Sequence, residues 1–189
     1  MTTRVISRGL IAASLLLSFQ SPVAAQWEAI ERKDAMTDAV TLQGYSGEAT
    51  EIGSSKVGVL FLDCGATVPG FEAHAMAFTF HTPFFYFADD DTAMMRVDDN
   101  EPISNNGGAI RSKPYRNNTT TMMFLDATDS RAQKFIGDAR KGNSLAVRVR
   151  SDRGKSTTFK FSLGGSNNVF GKVLESCGLP EGYPDGYES

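Results

Sequence analysis

Ser144-Leu145-Ala146-Val147-Arg148-Val149-Arg150, then Ser151-Asp152-Arg153-Gly154-Lys155, then Ser156-Thr157-Thr158-Phe159-Lys160-Phe161-Ser162-Leu163, is the stretch that decides the fold class. Leu145, Val147 and Val149 recur at every second position, with Arg148 and Arg150 set in the other register. Side chains on an extended strand alternate between its two faces, so this period sorts an apolar face from a wet one. Phe159, Phe161 and Leu163 repeat the apolar set, with Thr158, Lys160 and Ser162 on the polar side. Asp152-Arg153-Gly154 supplies turn chemistry between the two runs. The pair predicts a β-hairpin with one dry face.

Strand character extends outward from this hairpin. Val57–Leu62 is nearly continuous apolar sequence, as expected of a strand buried on both faces. Phe71–Phe80 carries His74, Met76, Phe78 and Phe80 on one side and small residues on the other. After Pro83, Phe84–Ala88 resumes strand character, and Ala93–Val97 and Thr119–Leu125 are further candidates. Two helices are expected late in the chain. Ala132, Phe135, Ile136 and Ala139 form one stripe, capped by Thr128 or Asp129 and ended at Gly142. Phe170, Val173, Leu174 and Cys177 form the second stripe, with Ser166 as its N-cap. Strands in series with helices only near the end predict a mainly β fold, with β-sandwich-like antiparallel sheets and two short helices in the C-terminal half. An α+β arrangement is the alternative.

Residues 1–25 have the three parts of a secretory signal peptide: Arg4 and Arg8, an apolar core from Leu10 to Phe19, and Val23-Ala24-Ala25 before Gln26. That core falls well short of the roughly 20 residues a membrane-spanning helix needs. A single periplasmic or secreted β-rich domain is therefore expected over residues 26–180, with a polar, flexible tail over 181–189. The expected mature chain has 189 − 25 = 164 residues, with 19 − 2 = 17 basic against 22 acidic side chains. A net charge of −5 disfavours nucleic acid and anionic membrane as partners. Cys64 and Cys177 are the only cysteines. In an oxidising compartment they are expected to form one disulfide, closing a loop of 177 − 64 = 113 residues. The chain-entropy argument puts an upper figure of roughly 4–5 kcal/mol on that closure. A reactive thiol is the alternative, but neither cysteine sits in a CxxC pattern.

Catalytic signatures are scarce. His74 and His81 are the only imidazoles, and their odd spacing of seven points them to opposite faces of a strand. No metal and no cofactor is expected. A nucleophile elbow of the GxSxG type is lacking, and no catalytic residue is assigned. Asp89-Asp90-Asp91 and Asp98-Asp99-Asn100-Glu101 fail the EF-hand pattern, since Ala93 and Met94 fall where a ligand and the glycine belong. The candidate partner-binding residues are Arg96 and Asp98, expected on one strand face as a neighbouring ion pair, and the aromatics Phe85 and Phe87, for which core packing on both faces of the strand is the other reading.

The order of several short motifs resembles the VasI-like family of periplasmic proteins associated with type VI secretion gene clusters. They are Trp27 followed by Lys33-Asp34-Ala35-Met36-Thr37-Asp38, a strand from Val59 to Cys64, and Arg96-Val97-Asp98. Phe135-Ile136, Leu145–Val149, Phe159-x-Phe161-x-Leu163-Gly164 and a helix reaching Cys177 complete the series. The chain departs from the family pattern at Ala35, in place of a proline, and at Asp63, where a basic residue is frequent. The resemblance implies a noncatalytic accessory protein without a cofactor, whose partner is another envelope protein. Two other classes are carried alongside: a secreted hydrolase or hydrolase inhibitor, and a small-ligand or calcium-binding module.

Overall fold

A computed structural model describes residues 27–33, 35–38, 40–53, 57–64, 75–83, 86–87, 93–104, 110–115, 120–126 and 129–179. In chain order these contain β1 (Glu28–Lys33), β2 (Val40–Thr50), β3 (Val57–Cys64), β4 (Ala75–His81), β5 (Met94–Val97), β6 (Ile103–Ser104), β7 (Ile110–Tyr115), β8 (Thr120–Asp126), α1 (Ser130–Lys141), β9 (Ser144–Arg150), β10 (Ser156–Ser162) and α2 (Ser166–Ser176). The expected signal peptide, the tail over 181–189, His74, Phe85 and Asp89-Asp90-Asp91 lie outside the described residues.

The strands form two antiparallel sheets. One has six strands in the order β1-β2-β3-β4-β8-β7, and the other has four in the order β10-β9-β5-β6. The fold is mainly β, with both helices in the C-terminal half. In the small sheet the expected alternation holds residue by residue. Leu145, Val147, Val149, Phe159 and Phe161 are buried, while Arg148, Arg150 and Lys160 are exposed. In the large sheet Leu60, Leu62, Met76, Phe78 and Phe80 are wholly buried on the inner face. Val57–Leu62 departs from the two-sided burial expected of it, because Val59 and Phe61 on the outer face are only half covered.

Aromatic side chains join the layers. Phe80 of the large sheet lies 4.8 Å from Phe159 and 6.1 Å from Phe161 of the small one, measured between ring centroids. Next along β4, Phe78 meets Phe135 of α1 at 6.0 Å and Phe170 of α2 at 5.9 Å. The second layer is thus the small sheet with the two helices beside it. Each such ring contributes roughly 1.5–3 kcal/mol by leaving water.

The helices are fixed differently. Asp129 caps α1 by accepting from the backbone N–H groups of Arg131 at 2.8 Å and Ala132 at 3.4 Å. Arg140 and Lys141 sit in its last turn, where positive charge complements the helix dipole. For α2 the expected N-cap is corrected. Gly165 holds that position with φ of 80°, and Ser166 is the first helical residue. The Ser166 hydroxyl is buried and donates to the Ala139 carbonyl of α1 at 3.0 Å, so a tertiary bond outcompetes the local cap. At the far end Cys177 is disulfide-bonded. The chain's only other cysteine, Cys64, ends β3, third of the six strands across the large sheet.

Candidate functional site

The outer face of the small sheet is built by register. β5 pairs with β9 so that Arg96 faces Ala146, and β10 pairs with β9 so that Lys160 faces the same alanine. Arg96, Ala146 and Lys160 therefore form one row across three strands, all on the side that points away from the core. The neighbouring row is Met94, Arg148 and Thr158. Two strand spacings of about 4.8 Å put the backbones of Arg96 and Lys160 about 10 Å apart, with only the methyl group of Ala146 between them. Large polar residues standing around a small one leave a concavity, here about 720 Å³.

Three strand residues bring cations to this concavity. Arg96, Arg148 and Lys160 are exposed. The Nε of Arg148 donates to Thr158 Oγ1 at 3.2 Å, which directs its guanidinium across the strands toward β10. Three acidic residues, Glu51, Asp98 and Asp99, line the same concavity. Glu51 is buried and its backbone bridges to Phe159, so it closes one end against β10.

Asp98 has a different occupation from the one its sequence position suggested. It lies in the turn after β5, with a left-handed backbone (φ 45°), and its backbone N–H donates to Ser144 O at 2.9 Å. One carboxylate oxygen accepts from the Ser144 N–H at 2.9 Å and the Ser144 hydroxyl at 3.0 Å. The other accepts from the Asn143 N–H at 2.9 Å. These donors, the Asn143 N–H foremost, hold the carboxyl below the usual carboxylate range. Gly142 makes room for the approach: a Cβ there would stand 2.5 Å from Val97 Cγ1 and 3.0 Å from Asp98 Oδ2. Arg96 and Asp98 do border one concavity, but the ion pair expected between them is not made. The carboxylate clamps the β9 entry, and Arg96 is exposed.

Phe87 is a second correction. It is 3% exposed and packs edge-on against Phe80 at 5.8 Å, with its backbone bridged to Ser151. Its ring completes the seam between the sheets and is not offered to a partner. Tyr86 beside it is the exposed aromatic, at 56%. Phe85 falls outside the described residues.

Two other places hold titratable groups. On the outer face of the large sheet, Asp63 accepts from Gln43 Nε2 at 2.6 Å and Thr79 Oγ1 at 3.3 Å. Burial raises its carboxyl above the ordinary range, opposed by the Gln43 bond, the charge of Arg32 and the Thr79 bond. A smaller cavity of about 380 Å³ lies between the β5–β6 turn and α1. Its cations Arg131 and Lys134 are already paired with Asp129 at 2.8 Å and Asp138 at 2.6 Å. Among the described residues no group of three or more His, Cys, Asp or Glu side chains is placed to hold a metal ion, and no helix is long and apolar enough to cross a membrane.

Comparison of the chain with models of known protein families, with curated proteins and with solved structures finds no match. The cationic sheet face is the strongest candidate site on its geometry alone.

Proposed function

We propose that the protein is a noncatalytic, exported binding protein of the cell envelope, whose open sheet face holds an acidic segment of a partner protein. The observation that carries the reading is the row Arg96–Ala146–Lys160, with Arg148 one row away. Rigid strands set the spacing of the charges, so an acidic partner meets cations already in place and loses less entropy on docking. Charge of this kind speeds encounter and selects among partners more than it adds raw affinity. The acidic balance of the whole chain, net −3, argues against nucleic acid as the partner. The resemblance to VasI-like proteins suggests that the partner belongs to a secretion machine. A glycosidase-type site would need a free carboxylate pair, and in this concavity Asp98 spends both oxygens on Asn143 and Ser144.

The test is capture of partners from an envelope extract by the mature chain, compared with the variant Arg96→Glu/Lys160→Glu. Retention of an acidic partner is expected to weaken at least tenfold in the variant, and to weaken in the wild type as salt shortens the reach of charge. Equal capture by both proteins, or hydrolysis of an envelope polymer by the purified wild type, overturns the reading.

A further inference from the structure

Every sheet that does not close on itself has two edges, and each edge exposes unpaired backbone donors and acceptors that can template another strand. Among the described residues, three of the four sheet edges are blunted. β7 carries Pro114, which has no N–H to give. β6 is only 2 residues long. β10 is covered in part by the end of β2, where Glu51 bridges to Phe159 and the Ile52 N–H donates to Thr158 O at 3.0 Å. The remaining edge is β1, which has 6 residues and no proline, and is exposed along its whole length. Among the described residues β1 pairs only with β2.

The sequence of β1 is complementary to itself. Glu28, Ile30 and Arg32 face outward with Gln43 and Tyr45, while Ala29 and Glu31 face the other way. A two-fold axis normal to the sheet keeps like faces together, so residues of one face must meet residues of that same face. With Ile30 on the axis, Ile30 meets Ile30 of the second copy, and Glu28 of each copy stands opposite Arg32 of the other. Both ion pairs flank an apolar contact between side chains that are 37% exposed in the single chain. Slipping to the registers centred on Glu31 or Arg32 sets like charges face to face, which disfavours them. Slipping to the one centred on Ala29 loses both ion pairs. Charges that repel a random strand thus select one register of self-pairing.

We infer that β1 is a self-association edge, through which a second copy of this chain extends the six-stranded sheet continuously across a two-fold axis. The contact is small, so the dimer is weak and reversible, at the low end of specific interfaces. It leaves the cationic face of the small sheet uncovered, and two copies of that face are carried on one dimer.

Sedimentation of the mature, disulfide-intact protein over a concentration series tests this. Wild type is expected to move from monomer toward dimer. Glu28→Arg and Arg32→Glu alone each place like charges opposite one another twice per dimer, and each is expected to raise the dissociation constant tenfold or more. An equimolar mixture of the two single variants, and the double variant E28R/R32E, are expected to recover association, because opposite charges again meet. Hydrogen exchange of the β1 amides gives a second readout: protection there should rise with wild-type concentration and stay flat in the single variants. A wild type that stays monomeric at the highest concentration overturns the inference. So does a dimer indifferent to both substitutions, or a mixture that fails to recover.

Discussion

Outside the large sheet, Asp63 stands among half-covered strands with two side-chain donors. Outside the small sheet, Asp98 stands in a turn with three donors, two of them backbone N–H groups. Burial wins at Asp63 and raises its carboxyl, and hydrogen bonding wins at Asp98 and lowers it. The large sheet has accepted a carboxylate it does not fully support, whereas the small sheet uses one to fasten its own geometry. The difference follows from exposure. The outer face of the small sheet is open, so its polar groups stay solvated and only the turn needs a clamp. The outer face of the large sheet is half covered, so each polar group there must find a partner or lose solvation.

If the two sheets share one core through Phe80, then Phe80→Ala should destabilise by about 3–5 kcal/mol, with a single unfolding transition in calorimetry. Two separate transitions would show that the sheets stand independently. A smaller effect is expected at the clamp. Asp98→Ala should cost about 1.5–3 kcal/mol at neutral pH, and should also weaken whatever binding the Arg96 row provides, since β9 would enter loosely. Because the folded carboxyl is lowered, its contribution is present above the unfolded value and is lost as pH falls through the lowered folded value. Wild type and variant should therefore converge in acid when melts are compared across pH. The smallest effect has the opposite sign. Asp63 is raised in the fold, so its contribution is full below the unfolded value and is lost as pH rises through the folded one. Asp63→Asn should stabilise the neutral protein by under about 1 kcal/mol, and the gain should vanish in acid. A destabilising Asn at 63 would mean that the Arg32 charge outweighs burial there.

The same contrast explains what could be read in advance. β9 and β10 have one dry and one wet face, so period-two alternation announces them, and the outward Arg148 and Lys160 with them. The stripes of α1 and α2 were legible for the same reason. In the large sheet β1 is exposed on both faces and carries no alternation, β2 is broken by Gly44, Gly47 and a register shift between Tyr45 and Glu48, and β7 contains Pro114. None of the three announces itself as a strand; each is held as one by its neighbours. The site needed information that spacing along the chain does not carry. Arg96 and Lys160 are 64 positions apart and meet across Ala146 only once register is known. Asp98 finds its donors 45 and 46 positions away, so the local pairing with Arg96 was the wrong inference. Phe87 looked exposable because an aromatic run gives no hint of which ring turns inward.

Trp27 lies at the start of the described chain, yet its indole N–H donates to Ser162 O at 2.8 Å and its ring meets Phe170 at 4.8 Å. The first aromatic of the described chain must wait for partners made more than a hundred residues later. Any nascent or truncated chain that stops before β10 leaves this indole in water. As it is the sole tryptophan, its emission is a native clock for the moment the two ends of the fold close on each other.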